Sequence, residues 1–518
     1  MSTAVHAREP DAAPSGAASE VAASPAIAGD AGRRDASVAV KNAFTLGASL
    51  VATWAVALVV RFFLPRHLGP EAFGVYNFAD AFSATFFVVL ALGLETYIRK
   101  VIPVRPDHAS DFFGGVLVVR LLLAALVLVA MAIVMTVAGR PASVQRVVFV
   151  FGAAQLLVTL NNNLAALLHA SRAVSGLAFV NVASKVFWGG GVALAIAAET
   201  GLVGLALAFL ASETLRAVAL AWLSYRHVAL RLRVDLRAVK AVLLASLPFY
   251  VIQVANTVYG KVDVSMLSVL ASDIEIGWYG TSSNLAGLAF LLSPLVTWVL
   301  MPLLSRAGAR SEEEMFGLVR RSIEAILLAI LPISLLMGVG ADVWIPLVFG
   351  RAFEPAVLSL RVLAPIFVFT YLAMISATVL MLRERAWTVA GIQLMGLVLN
   401  PTLNMLLVPW AARRLGLGGA GAGAAAALLI TEASVACCLT FTVGRRAFDR
   451  AGVRAIGKAL LCCAAVVIAD SALHPLGPAR LAIDMLLYAA LVFGTGAVKP
   501  RDVALLARLV LERRRQEA

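Results

Sequence analysis

The chain has 518 residues, 61% of them hydrophobic and only 14% charged, with a mean hydropathy of +0.91. A soluble domain of this size carries far more charge, so a water-soluble enzyme is excluded as the body of the chain. The formal net charge of +13 would suit a nucleic-acid partner, but its distribution along the sequence argues against one.

Residues 1–40 are rich in Ala, Ser, Pro and Gly and lack the apolar core of a signal peptide, so they are expected to form a disordered cytoplasmic tail. Apolar stretches of roughly 20 residues then recur, each long enough to cross a bilayer as a helix. The expected spans lie near 42–64, 76–98, 113–138, 146–168, 175–198 and 202–224. A second set follows near 240–270, 276–304, 321–340, 362–382, 386–409, 417–443, 456–473 and 481–498. Alternation at period 2 is weak in these runs, which argues against a β-barrel. The expected fold is an all-α integral membrane protein of about 14 helices. It divides into a six-helix lobe over 41–227, a second over 228–445, an extra helix pair over 446–498 and a basic tail over 499–518.

With the N-terminus inside, cytoplasmic segments hold about 30 of the 43 Lys and Arg residues. Arg226, Arg231, Arg233, Arg237 and Lys240 precede the seventh span. Arg445, Arg446, Arg450, Arg454 and Lys458 precede the thirteenth, and Lys499 to Arg515 supply the tail. The positive charge is therefore mostly topological, with some of it set against anionic lipid head groups. Both termini are expected in the cytoplasm. The four cysteines form two adjacent pairs, Cys437–Cys438 and Cys462–Cys463, inside apolar helices. Neighbours on a helix diverge too far for an ordinary disulfide, so they read as small packing residues.

The two halves repeat. Residues 68–103, LGPEAFGVYNFADAFSATFFVVLALGLETYIRKVIP, share a pattern with residues 271–306, ASDIEIGWYGTSSNLAGLAFLLSPLVTWVLMPLLSR. Gly74 and Tyr76 fall in register with Gly277 and Tyr279, at an offset of about 203 residues. Six spans separate equivalent elements, so the halves share one orientation and are related by an axis along the membrane normal. Duplicated bundles of this kind mark alternating-access transport, with a gated path at the seam.

The stretches LGPEAFGVYNFADAF, GKVDVSMLSVLASDIEIGWYGTSSNL and NPTLNMLLVP resemble the polysaccharide flippases of the multidrug/oligosaccharidyl-lipid/polysaccharide exporter superfamily. The resemblance runs over roughly residues 40–445. It implies a V-shaped transporter of two six-helix lobes in a bacterial inner membrane. The implied substrate is a polyprenyl pyrophosphate carrying a sugar repeat unit, moved for exopolysaccharide, capsule or O-antigen synthesis. Membrane lipids and a polysaccharide polymerase or export machinery are the implied partners, with no nucleic acid and no cofactor.

Five cations fall within spans: Arg61, Arg120, Lys185, Arg216 and Lys261. Each costs about 2.5–3.5 kcal/mol at the bilayer centre even on a lenient scale. Arg61 and Lys261 sit toward outer span ends and Arg120 about two turns from an inner end, so each can either snorkel or serve transport. Lys185 sits mid-span in VNVASKVFWGGGV and is expected to face a cavity. Arg216 follows Glu213 by three residues and shares its helix face, as an internal neutral pair or as a cation that exchanges Glu213 for phosphate. Such cations replace the hydration a pyrophosphate loses, and Gln155, Asn161, Asn162, Asn163 and Asn181 offer uncharged donors for sugar hydroxyls or for helix packing. Asp80, Glu213 and Glu432 are candidates for ion coupling. Glu95 and Asp263 are further candidates for coupling, although Arg99 four residues after Glu95 favours a plain ion pair and solvation near an outer boundary explains Asp263 equally well.

Other chemistry finds no support. Gly452 to Ala459 imitates a phosphate loop, but Ala459 stands where magnesium needs Ser or Thr. The histidines, including His67, His169 and His474, form no metal-spaced cluster. No nucleophile–base set is legible. A multidrug or cation antiporter of the same superfamily is the alternative; the resemblance implies twelve spans and an acidic cavity for such proteins, and the two extra spans and the intramembrane cations lean against it. A membrane sugar polymerase or ligase is a weaker one, since no outer loop is long enough to carry catalytic residues.

Overall fold

A computed structural model describes residues 25–102, 109–171, 174–228, 235–293, 296 and 300–498. No strand occurs among them. A bilayer core offers the backbone no hydrogen-bonding water, so a long apolar chain satisfies itself as helices. Residues 1–24 of the expected N-terminal tail and the tail after 498 lie outside the described residues. The first helix is described from Pro25, upstream of the first expected span.

The first lobe is built from α1 (Pro25–Phe87), α2 (Leu94–Val101), α3 (Ala109–Val137), α4 (Ala142–Ala170), α5 (Val174–Ala197) and α6 (Gly201–Val228). α1 contains two spans, broken at Gly69, whose φ of 75° and ψ of 171° leave helical space before Pro70 restarts it. α3 is apolar on every side. It leaves Leu122, Leu126, Val129 and Ile133 exposed at helical spacing, as a lipid-facing stripe.

The second lobe begins with α7 (Leu236–Leu270), whose N-terminus is capped by Asp235. Then come α8 (Asp273–Ala286), α9 (Met301–Arg310), α10 (Glu312–Val339), α11 (Ala341–Phe349), α12 (Ala356–Leu363), α13 (Ile366–Leu382), α14 (Ala386–Leu415) and α15 (Gly419–Val443). Ser311 caps α10, with Glu312, Glu313 and Glu314 in its first turn against the helix dipole. α16 (Arg450–Leu473) and α17 (Arg480–Gly494) are the last described helices. Asp449 caps α16 through the Gly452 N–H, so the glycines of the apparent phosphate loop open an ordinary helix.

Among the described residues, eleven stretches are long and apolar enough to cross a membrane, against about fourteen expected. Val51–Ala91 and Arg450–Gly494 each cover two expected spans, joined through the break at Gly69 and through the 3-10 turn at His474–Ala479. The expected span near 276–304 is not one long helix: α8 ends at Ala286 and passes into a 3-10 turn over Gly287–Leu292. The first lobe breaks about one turn later in its own copy, with a 3-10 turn at Val88–Ala91 and left-handed Leu92 and Gly93. The repeat thus extends close to where its helices unwind.

The lobes meet where α1 crosses α8. A Cβ at Gly74 would overlap the Asp273 carbonyl, and a Cβ at Gly277 would overlap the Pro70 carbonyl. Pro70 and Asp273 are equivalent under the repeat offset, so the contact is reciprocal about a pseudo-two-fold axis. One turn further, Gly280 faces the equivalent Asn77. Arg140, in the α3–α4 turn, adds an ion pair to Asp273 at 2.9 Å and a hydrogen bond to the Ser268 carbonyl. Phe62 meets Phe349 edge-on at 6.0 Å. This end of the seam is shut.

α7 straddles the lobes. Its first half packs on α2 and α3: Ser246 Oγ donates to the Leu92 carbonyl at 2.8 Å, and Gly93 and Gly115 lie against Tyr250 and Val239. Its second half packs on α14 through Asp263 and Asn404. The extra pair α16–α17 lies on α10. Arg480, 2% exposed, ties that pair down by binding Asp470 at 2.7 Å, Asp342 at 2.6 Å and the Val339 carbonyl at 3.1 Å.

The glycine crossing yields a direct expectation. Gly74→Val or Gly277→Val forces backbones apart and destabilises the protein by more than the roughly 1–3 kcal/mol of ordinary overpacking, read as a lower thermal midpoint of the detergent-solubilised protein. Gly457→Ala, where an added Cβ meets nothing within 4 Å, leaves it unchanged. Equal midpoints for all three would contradict the close crossing.

Candidate functional site

A cavity of about 640 Å³ begins directly below the glycine crossing, at Asn77 and Gly280, and reaches Met301 and Met381 at the far end. Its two walls differ. From the first lobe and α7 come Arg61, Asn77 and Lys261. From the second lobe come apolar side chains such as Phe367, Met374 and Val435, with Thr370, Gln393 and Glu432 among them.

Four of the five intramembrane cations gather beside the charged wall. Arg61 and Asp80 come from the two sections of α1, Lys185 from α5, Arg216 from α6 and Lys261 from α7. Lys261 Nζ binds Asp80 Oδ2 at 2.8 Å, joining a residue of each half. Arg216 lies 3.5 Å from Glu213 Oε2 and donates to Asn181 Oδ1 at 3.2 Å, while its buried Nε has no partner. Lys185 lies within electrostatic reach of Glu213, Arg216, Arg61 and Asp80. It has no hydrogen bond or ion pair among the described residues, and its Nζ stands 5.0 Å from the Trp188 ring centre. Arg61, likewise without a bonded partner among them, lines the cavity. The four cations of the cluster outnumber Asp80 and Glu213 by two; of the four, Arg61 and Lys261 line the cavity itself, and Glu432 lines it from the facing side.

Arg120 belongs elsewhere. It is 3% exposed and donates to the Ala91 carbonyl at 3.2 Å. The Asn163 amide oxygen, turned toward it, accepts from both terminal guanidinium nitrogens, Nη1 and Nη2. This geometry ties α3 to α4 and to the 3-10 turn, and makes Arg120 a structural strut outside the large cavity.

The three consecutive asparagines of α4 point three ways, as steps of 100° require. Asn161 is fully buried and donates to Glu213 Oε2 at 2.8 Å and to the Glu213 carbonyl at 3.0 Å. Asn163 serves Arg120. Asn162 faces a smaller side cleft, together with Gln155, whose Nε2 lies 3.4 Å from Asp80 Oδ1. Glu95 pairs with Arg99 at 2.7 Å as expected from their spacing.

Asp263 corrects the sequence reading. Instead of a solvated boundary position it is 2% exposed, accepting from Tyr279 Oη at 3.1 Å and from Asn404 Nδ2 at 2.8 Å. The reason is α14, whose Asn400 and Asn404, four residues apart and both fully buried, face α7. The Asn400–Asn404 spacing was present in NPTLN but carried no sign of the carboxylate it would meet. Among the described residues, no group of three or more His, Cys, Asp or Glu is placed to hold a metal. The cysteines are free, with Cys437 exposed and Cys462 buried.

The placement of the cations is open to chemical labelling. With the four native cysteines replaced, Arg61→Cys and Lys261→Cys should react with a water-soluble maleimide, and Arg120→Cys should not before denaturation. Equal labelling of all three would contradict the wet wall and the dry strut.

Comparison with known proteins adds the following. A family model described as polysaccharide biosynthesis protein matches residues 63–358. No curated protein sequence matches the chain. Among solved structures, the lipid II flippase MurJ in an inward closed conformation aligns with a TM-score of 0.59 at 13% identity, over 85% of this chain and 99% of that one. An inward-facing multidrug resistance MATE family transporter of the MOP superfamily aligns with a TM-score of 0.57 at 15% identity, over 76% and 98%. The Vibrio cholerae MATE transporter VcmN, as a mutant, aligns with a TM-score of 0.51 at 13% identity, over 78% and 98%. These likenesses show the fold, that of multi-pass membrane transporters.

Proposed function

The chain belongs to the polysaccharide biosynthesis protein family, and from that premise we propose that it is a flippase for a polyprenyl-pyrophosphate-linked oligosaccharide. It would act in a bacterial inner membrane, with both termini cytoplasmic, and supply polysaccharide assembly. Lobes over 41–227 and 228–445 would rock about the α1–α8 crossing, with 446–498 as an accessory pair. In this topology the shut end is the outer one, and the cavity is held open toward the cytoplasm.

One observation carries this reading: a large cavity lined by Arg61 and Lys261, with Arg61 and the neighbouring Lys185 both free of any hydrogen bond or ion pair among the described residues. A doubly esterified diphosphate carries about two negative charges at neutral pH, and burial without partners would be prohibitive. Arg61 and Lys185 offer charge-assisted hydrogen bonds at once. Lys261 and Arg216 can turn from Asp80 and Glu213 to the phosphates, which leaves those carboxylates to take up a proton or sodium ion. Charge balance in the cavity would then couple ion and substrate. The prenyl chain stays in lipid at the seam, so only the head group crosses.

A multidrug or cation antiporter draws on the apolar opposite wall with Glu432. It leaves the cationic wall without purpose, because a cationic drug would be repelled from it. Drug-resistance assays in an export-deficient strain separate the two readings.

Lys185→Ala and Arg61→Ala are each expected to lower polysaccharide export at least tenfold at matched membrane levels. A single lost charge-assisted contact of about 1.5–3 kcal/mol is enough for that. Arg120→Ala should instead lower the amount of folded protein. Normal export by both cavity variants would overturn the reading.

A further inference from the structure

The side cleft beneath the large cavity has a chemistry of its own. It encloses about 110 Å³ between α4 and α7, with the 3-10 turn at Val88–Ala91 as its floor. α4 contributes Gln155, Thr159 and Asn162, spaced i, i+4, i+7 and therefore on one face. α7 contributes Gln253 and Thr257, which continue at the same spacing to Lys261. Two uncharged polar stripes thus face each other across the cleft.

Asn162, Gln253 and Thr257 have no hydrogen-bond partner among the described residues and are only half-buried, turned toward the open space. Thr159 Oγ1 donates to the Gln155 carbonyl at 2.9 Å and keeps its acceptor capacity. Amides and hydroxyls in a membrane bundle normally bond across to a neighbouring helix, and these do not. Glu95, at the rim, is neutralised by Arg99. An ion would find no uncompensated charge here, and a lipid chain would find too many polar groups. The groups that match are hydroxyls, which both give and accept, over an apolar floor of Phe87 and Val88.

The cleft also adjoins the cationic wall. Gln155 reaches Asp80, Asp80 holds Lys261, and Lys261 lies one helical turn beyond Thr257. We propose that this cleft is a sugar subsite that takes one uncharged hexose, the residue joined directly to the diphosphate. The assignment rests on the flippase reading and adds to it where the first sugar sits and that it is neutral.

The test compares two lipids on the purified full chain in nanodiscs: polyprenyl diphosphate alone, and the same lipid bearing one neutral hexose. The wild type should bind the hexosyl lipid about tenfold more tightly, the yield of one or two net hydrogen bonds. In Gln253→Ala, Asn162→Ala and the shape-preserving Thr257→Val, the ratio should fall toward one. Lys185→Ala should weaken both lipids and keep the ratio. Equal binding of both lipids by the wild type would overturn the subsite and leave the flippase reading standing. Binding of neither lipid by the wild type would overturn both.

Discussion

Two glycines without side chains set the geometry on which the rest depends. Gly74 and Gly277 let the backbones of α1 and α8 touch, each against the carbonyl four residues upstream of the other's glycine. In lipid no hydrophobic force holds helices together, so such close backbone packing is what makes a seam. The reciprocity of the contact fixes the axis between the lobes. Everything below it, from Asn77 and Gly280 onward, is free to open as a cavity. Arg140 reinforces the shut end from outside the glycine pair, holding Asp273 while its guanidinium lies 4.9 Å from the Phe78 ring centre.

The scaffold is twinned, but its electrostatics are not. Tyr76 in the first copy lies within reach of Asp80 and Arg61, inside the cationic cluster. Its counterpart Tyr279 donates to the buried Asp263 of the second lobe. The first lobe and α7 thus present Arg61 and Lys261 to the cavity, Asp263 of α7 is locked among neutral donors, and the second lobe offers a largely apolar wall with Glu432 in it. An amphiphilic head group meets a different chemistry on each side of one cavity. Rocking the lobes changes how far apart those two chemistries stand, without altering either.

Much of this was legible in the sequence because lipid imposes simple rules. Span lengths, the repeat register at Gly74 and Gly277, and the exclusion of a soluble enzyme follow from apolar periodicity and charge placement alone. Three features were not legible, each for a tertiary reason. The sequence left Arg120 open between snorkelling and transport, and only the Ala91 carbonyl and Asn163 mark it as a strut. Asp263 looked like a boundary residue until α14 covered it with Asn404. Gln253 and Thr257 drew no notice because their stripe has meaning only opposite α4. The break after Ala286 was hidden by its own apolarity, since unwound and helical apolar runs read the same.

The central claim is that unpaired cations on the first lobe receive a lipid-linked diphosphate. The most direct measurement is an experimental density map of the protein in nanodiscs loaded with such a lipid. Phosphate density between Arg61 and Lys185, with Asp80 or Glu213 released from its cation, is the expected result. Phosphate held elsewhere, with Lys185 turned to the acyl chains, would contradict it.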